Sequence, residues 1–475
     1  MNISKRASER STPQLFNFIF LLLFVFIPFE SQADNPAFCS GRLQNGLSYY
    51  IHHDPYSKHH TSLDFVIKAG SLDEQEDERS FSHFIEHTVL DKIQFKDKKL
   101  TDLYCEIWDY IYPDIGAVTS YHFTQYHFEI SLAIPRGLEE GLLGFSNALS
   151  QFSLDEQELQ EMKEELLEEL DENQLNPLTS WKEWRIGQEY PPYRDKSPFG
   201  NQQAISKASI EKIQQFYRDK YLPQRIAVVI IGNVDLNKTK ELIEKQFGHF
   251  HAAQEPITCR PDSAPVLQES SVYINQRLKN TCIALTKPLP RMSQRDFLVF
   301  SILTRRLSQH LNNCADTLQA AFFQPILEIL TYPKMLRLTV TLWDGFEESL
   351  DQLKVALKSF YSQPITEDQL DQIKAEMKHH LKILQEKGND PSLVAFYRDH
   401  FILNASSLEA DHPDLRIALL DTIHTKEINQ ALQTFPGFCQ VSLGSYDEKT
   451  ALISPDLISK LILKNTDDWR NAYDN

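Results

Sequence analysis

Two stretches decide the fold: LDEQELQEMKEELLEEL, Leu154 to Leu170, and ITEDQLDQIKAEMKHHL, Ile365 to Leu381. Laid on one another, Leu159 meets Leu370, Met162 meets Ile373, Lys163 meets Lys374, Glu165 meets Glu376 and Leu170 meets Leu381. Two amphipathic helices resemble each other by period alone, so the surroundings carry the weight. Upstream of the first stretch, LQNGLSYYIHH holds an Asn45-Gly46 turn before alternating apolar residues, a hairpin signal, and TSLDFVIKAG is a second strand. A helix around His83 follows, then a helix in LTDLYCEIWDYI, two strands in GAVTSYHFTQYHFEISLAI and a helix in GLEEGLLGFSNALSQ. Upstream of the second stretch the order recurs. Strands SSVYINQ and TCIALTK precede helix RDFLVFSILTRRLSQHL, then strands LEILTY and MLRLTVTLW and helix EESLDQLKVALKSF. After the first acidic helix come a further helix in ASIEKIQQFYRDKYL and the buried-type strand IAVVIIG. The chain reads as α+β: two tandem repeated halves, each a mainly antiparallel sheet with helices packed on one side.

The proline-containing polar segment HAAQEPITCRPDSAPVLQES marks the join. The expected domains are a leader over 1–33, an N-terminal half over 34–255 and a C-terminal half over 256–475. The leader has Lys5, Arg6 and Arg10, then the apolar run LFNFIFLLLFVFI, then SQA with small residues at the cleavage positions. The run is shorter than the roughly 20 residues that span a bilayer, so it reads as a secretory signal peptide with a mature start near Asp34. Periplasmic or secreted protein with no stable membrane anchor after cleavage is the expectation. The net charge of −18, with no basic run beyond the N-terminus, excludes a nucleic-acid partner. Six scattered cysteines with no C-x-x-C pattern define no disulfide connectivity.

FSHFIEHTVL, Phe81 to Leu90, carries the chemistry. On a helix His83 and His87 are four residues apart and share a face, where two neutral imidazoles can hold one Zn²⁺. Glu86 lies beside that face, placed to take a proton from a zinc-bound water and deliver it to a leaving amine. The histidines His52, His53, His59 and His60 could form a second metal site, although their place at a strand end and loop fits solvated side chains better.

KAGSLDEQEDERSFSHFIEHTVL resembles the zinc-site segment of the pitrilysin/insulinase family of inverzincin metallopeptidases, whose inverted H-x-x-E-H order differs from H-E-x-x-H enzymes. Gly70-Ser71, Glu74 and the interval from Gly70 to His83 match the pattern; LQNGLSYYIHH and YRDKYLPQRIAVVIIGNVD also look like segments of bacterial exported members. The resemblance implies a third ligand, a glutamate, on the acidic helix. EELLEEL with the later Pro177 selects Glu169, with Glu168 next and Glu165 one turn earlier as a further candidate. It also implies a peptide substrate paired to the strand edge at GAVTSYHF, so that Gly116, Ala117 and Thr119 are expected to contact substrate. This chain departs from the pattern in places. Ser80 replaces a usual glycine, Met162 stands where a supporting glutamate is common, and Gly116 stands where asparagine is common. The late Arg/Tyr pair of the second half has no clear counterpart, Phe322 or Phe323 standing nearest to its tyrosine. His379-His380 occupy the ligand region of the second repeat with no H-x-x-E-H before them, so that half should not bind zinc.

The resulting expectation is a zinc-dependent metalloendopeptidase acting on peptides or unfolded segments inside a chamber. Because clamshell members of the family carry four such units and this chain supplies two, the resemblance implies a homodimer or a partner chain. The alternative is a non-catalytic chamber or chaperone-like subunit of the same fold, against which the presence of Glu86 counts.

Overall fold

The computed structural model describes residues 38–95, 98–99, 115–252, 271–288, 293–317, 323–330, 335–342, 346–387, 391–403, 415–434 and 440–445. The expected leader, the helix expected in LTDLYCEIWDYI, the join near 255 and Phe322 lie outside the described residues. Among those described, no helix is long and apolar enough to cross a membrane.

The first sheet has six strands in the order β1-β2-β8-β3-β7-β6. They are β1 Phe38–Arg42, β2 Ser48–His53, β3 His60–Ile67, β6 Ile115–Thr119, β7 Thr124–Ser131 and β8 Ile226–Gly232. A small hairpin, β4 Gln94–Phe95 with β5 Lys98–Lys99, stands apart. Every pairing in the large sheet is antiparallel except β2 with β8. The Asn45-Gly46 turn forms the β1–β2 hairpin. Gly46 sits at φ +90°, where a side chain would be strained, and Asn45 Nδ2 donates to Phe247 O at 2.8 Å.

Strand alternation sorts the side chains into two faces. Tyr49, Ile51, Leu63, Phe65, Val228 and Ile230 point into the main core with the helices Phe81–Lys92, Gly137–Ser150 and Glu156–Leu175. Tyr50, Val66, Ala227, Val229 and Ile231 point the other way.

The second sheet has five strands in the order β11-β12-β10-β13-β9: β9 Ser271–Ile274, β10 Thr281–Pro288, β11 Phe323–Leu330, β12 Met335–Leu342 and β13 Gln440–Ser445. Only the β13–β9 pairing is parallel. One face packs on the helices Gln294–Thr317, Phe346–Ser362 and Glu367–Lys387 through Ile283, Leu285, Leu338 and Val340. The two quoted stretches thus occupy equivalent helices of equivalent halves. Strand β11 begins four residues before the expected LEILTY.

Each half covers one face of its sheet with its own helices and borrows a helix for the other face. Helix Pro391–Leu403 lays Leu393, Val394, Tyr397 and Phe401 on the back of the first sheet. Helix Pro177–Glu189 puts Trp181 and Trp184 against Cys282, Ala284 and Tyr273 of the second. Its start is written locally: Asn176 caps it by accepting from Leu178 and Thr179 amides, and Pro177 takes the first turn. At its end Glu189 is fully buried between Arg185, at 3.5 Å, and Arg337 of β12, with Thr286 donating to it at 3.4 Å.

Candidate metal centre

The histidine helix, Phe81–Lys92, is anchored from outside. Its N-terminal amides at Ser80 and Ser82 donate to the carboxylate of Glu74 at 3.0 and 2.8 Å. Glu74 is buried, and burial pushes its carboxyl up to about 7 against the opposing effect of those amides. Ser80, the residue before the helix, has φ 79°, a left-handed conformation that β-carbon sterics disfavour. Its hydroxyl is buried with no hydrogen-bond partner among the described residues, and a Cβ added at Gly200, itself at φ +75°, would collide with Ser80 Cβ.

Phe81, Phe84, Ile85 and Val89 bury the inner face of this helix, which turns His83, Glu86 and His87 toward the acidic helix Glu156–Leu175. That helix starts at a capping box between Asp155 and Glu158 and buries Leu159, Leu166 and Leu170. The same apolar spacing points Glu169 inward and leaves Glu168 exposed. Glu169 Oε2 lies 3.4 Å from His83 Nε2, and its Oε1 lies 3.7 Å from His87 Nε2. The two Nε2 atoms are 3.1 Å apart. Ligands at about 2.0–2.1 Å around a tetrahedral zinc ion stand about 3.3–3.4 Å from one another. The three donors therefore fit such an ion.

Protonation also suits His83 as a donor. Burial, and then the charge of His87, pushes His83 down to about 3, so its imidazole is neutral near neutral pH. Glu169 is raised above the usual carboxylate range, chiefly by burial, with Glu165 and Glu172 adding and His87 opposing. Glu86 is pushed up to about 7 by burial, against the lowering effects of the Thr119 hydroxyl and His87. Thr119 Oγ1 donates to Glu86 Oε2 and so ties edge strand β6 to the acidic group.

The residues singled out from sequence divide as follows. His83, Glu86, His87 and Glu169 are brought together, and Thr119 reaches Glu86. Gly116 and Ala117 lie along β6, at the sheet edge, and a Cβ at Gly116 would meet nothing within 4 Å. His52 and His53 turn to Tyr397 and to the carbonyl of Val234, each at 3.0 Å, rather than to each other. Among the described residues, the groups that could hold a metal are His83-Glu86-His87 and His87-Glu165-Glu169. Sequence reasoning missed the anchoring role of Glu74 and the contact of Phe199, whose ring meets that of His83 edge-on at 5.9 Å. Spacing from Gly70 was the only local signal for the first, and nothing local marks the second.

A two-half sheet-and-helix fold thus brings a histidine pair and two glutamates together on facing helices. The insulinase profile, peptidase family M16, matches residues 50–186, and the profile of the peptidase M16 inactive domain matches residues 207–377. The chain belongs to the M16 insulinase family. It is 23% identical over 294 residues to a zinc protease PQQL-like protein of Arabidopsis thaliana, covering 60% of this chain and 31% of that one. To the probable zinc protease PqqL of Escherichia coli it is 24% identical over 221 residues, 45% of this chain and 23% of that one. The matches thus span less than a third of these relatives. The crystal structure of the first half of the E. coli periplasmic protease PqqL superposes with TM-score 0.72 at 18% identity, covering 92% of this chain and 97% of that half. A protease structure from Helicobacter pylori gives TM-score 0.70 at 18% identity, with 86% and 99% covered.

Proposed function

We propose that the chain is a zinc metallopeptidase unit that hydrolyses peptide bonds in extended peptides or unfolded segments. The observation that carries this is the set of ligand spacings, 3.1, 3.4 and 3.7 Å, among His83, His87 and Glu169 with Glu86 beside them. His83, His87 and Glu169 would hold the ion. When bound, zinc supplies Lewis acidity, polarising the scissile carbonyl and acidifying water. Glu86 takes the proton of the attacking water and delivers it to the amine leaving group. Thr119 holds one oxygen of Glu86, which keeps the other aimed at the reacting centre. Strand β6 binds the peptide backbone by adding it to the sheet edge, since no strand lies beyond β6 among the described residues.

The similarity to half of PqqL supports a second unit, from another copy or a partner chain, to enclose the substrate. The leader-like N-terminus and the periplasmic relative support an exported protein. Cleavage of an unstructured peptide by zinc-loaded protein, abolished by a chelator and lowered about 10²-fold or more by Glu86→Gln with zinc retained, is the expected result. Zinc-loaded protein that binds such peptides without cutting them would replace this reading with the non-catalytic subunit.

A further inference from the structure

The acidic helix presents two glutamates one turn apart to the histidine helix, and they meet different atoms. Glu169 faces the Nε2 side of both histidines, whereas Glu165 Oε1 lies 3.3 Å from His87 Nδ1. The two nitrogens of an imidazole point away from each other. An ion shared by the two Nε2 atoms and Glu169 is therefore beyond the reach of a group lying off Nδ1.

We propose that Glu165 is the positioning residue of the metal centre: it accepts the Nδ1 proton of His87, fixing that ring's tautomer and plane so that the Nε2 lone pair is directed at the ion. This inference rests on the zinc-site reading above. Ligating histidines commonly give their second N–H to a carboxylate, which orients the ring and raises its basicity. The two rings differ in this respect. His83 Nδ1 is buried with no hydrogen-bond partner among the described residues, and packing holds that ring. His87 is less buried and has the carboxylate instead. Met162, where the family resemblance puts a supporting glutamate, packs against the apolar core. The supporting charge in this chain thus stands three residues later along the same helix.

The test is zinc affinity, measured by competition with a chromophoric chelator, for wild type, Glu165→Ala, Glu165→Gln and the exposed control Glu168→Ala. The expected result is a loss of about 10–100-fold for alanine, a smaller loss for glutamine, which keeps an acceptor oxygen, and none for the control. Zinc-free thermal midpoints should not change, because the Glu165 side chain is 56% exposed. In ¹⁵N-labelled zinc-loaded protein, His87 should carry its proton on Nδ1 with a downfield resonance that moves in Glu165→Ala. Unchanged affinity in Glu165→Ala, or a loss matched by a fall in zinc-free stability, overturns the proposal. A loss as complete as that of Glu169→Ala also overturns it, by making Glu165 a ligand. Wild-type protein that takes up no zinc defeats the zinc-site reading itself.

Discussion

The second half repeats the architecture of the first and fills the equivalent place differently. Where the first half packs the histidine helix on the acidic helix, the second packs Gln294–Thr317 on Glu367–Lys387. Arg305 and Gln309, again four residues apart, meet Glu376 at 3.2 and 2.9 Å. Glu376 is the counterpart of Glu165, and His380 that of Glu169. A cavity of about 470 Å³ lies there, lined by Ser301, Thr304, Arg305, Ser308, Gln309 and Met377. The helix starts differ as well. Ser293 and Asp296 cap the second-half helix reciprocally, with Ser293 Oγ 2.7 Å from the carboxylate and the Asp296 amide 3.1 Å from that hydroxyl. The first-half helix relies on a distant buried glutamate and a left-handed serine. Among the described residues, the left-handed Ser80 and the buried Glu74 thus belong to the helix with the metal-ligand set, where the second-half helix has a local cap.

The comparison breaks most decisively at the metal. Wild type should carry about one zinc per chain, and the His83→Ala, His87→Ala double variant none, by elemental analysis of dialysed protein. Residual occupancy would put a site in the second half. Next in size, Glu169→Ala should lose zinc affinity by orders of magnitude while Glu168→Ala stays near wild type, measured by zinc titration. A reversed result would mean that the acidic helix is turned by one residue.

At the contact between the halves, Glu189→Ala leaves Arg185 and Arg337 buried together, and urea unfolding should show a loss of about 3–5 kcal/mol. An unchanged midpoint would show that the two arginines are hydrated. Smaller effects sharpen the contrast in helix anchoring. With Glu74 at about 7 in the fold, above the ordinary carboxylate value of 4.5, the folded state binds the extra proton between those values. This group's contribution is therefore favourable below 4.5 and is lost as pH rises through 7. Glu74→Gln has no such titration. Its deficit against wild type in zinc-free unfolding should be larger at pH 5 than at pH 8, and a pH-independent deficit would contradict the buried acid. The smallest effect is Ser80→Gly, expected to raise zinc-free stability by about 1 kcal/mol by relieving the left-handed φ. The same change at Ser293 should cost stability by removing a cap.

Much of this was legible from residue order. Alternation in TSLDFVIKAG and the uniform apolarity of IAVVIIG marked β3 and β8, and the 154–170 and 365–381 repeat marked the duplication. The histidine pair was legible because its spacing equals a helical turn. The borrowed helices were not. Trp181, Tyr397 and Phe401 are apolar for the sake of a sheet belonging to the other half, and no neighbouring residue records that partner. Among the glutamates of EELLEEL, chemistry is uniform, and only the packing of Leu166 and Leu170 separates an inward Glu169 from an outward Glu168. Glu74 stands nine residues from His83, and its reach to the helix depends on a turn that residue types do not announce.

The exchange of helices also sets a timetable for biosynthesis. When the ribosome has made β8, the first sheet is complete, yet Tyr50, Val66, Val229 and Ile231 await a cover encoded at Pro391–Leu403. At about 5–20 residues per second, that wait is on the order of ten seconds. Throughout it the nascent chain displays an oily sheet surface to every neighbour on the polysome. A fragment stopped in the connection at 253–270 would display it permanently, so the halves belong in one expression vector, or in one cell.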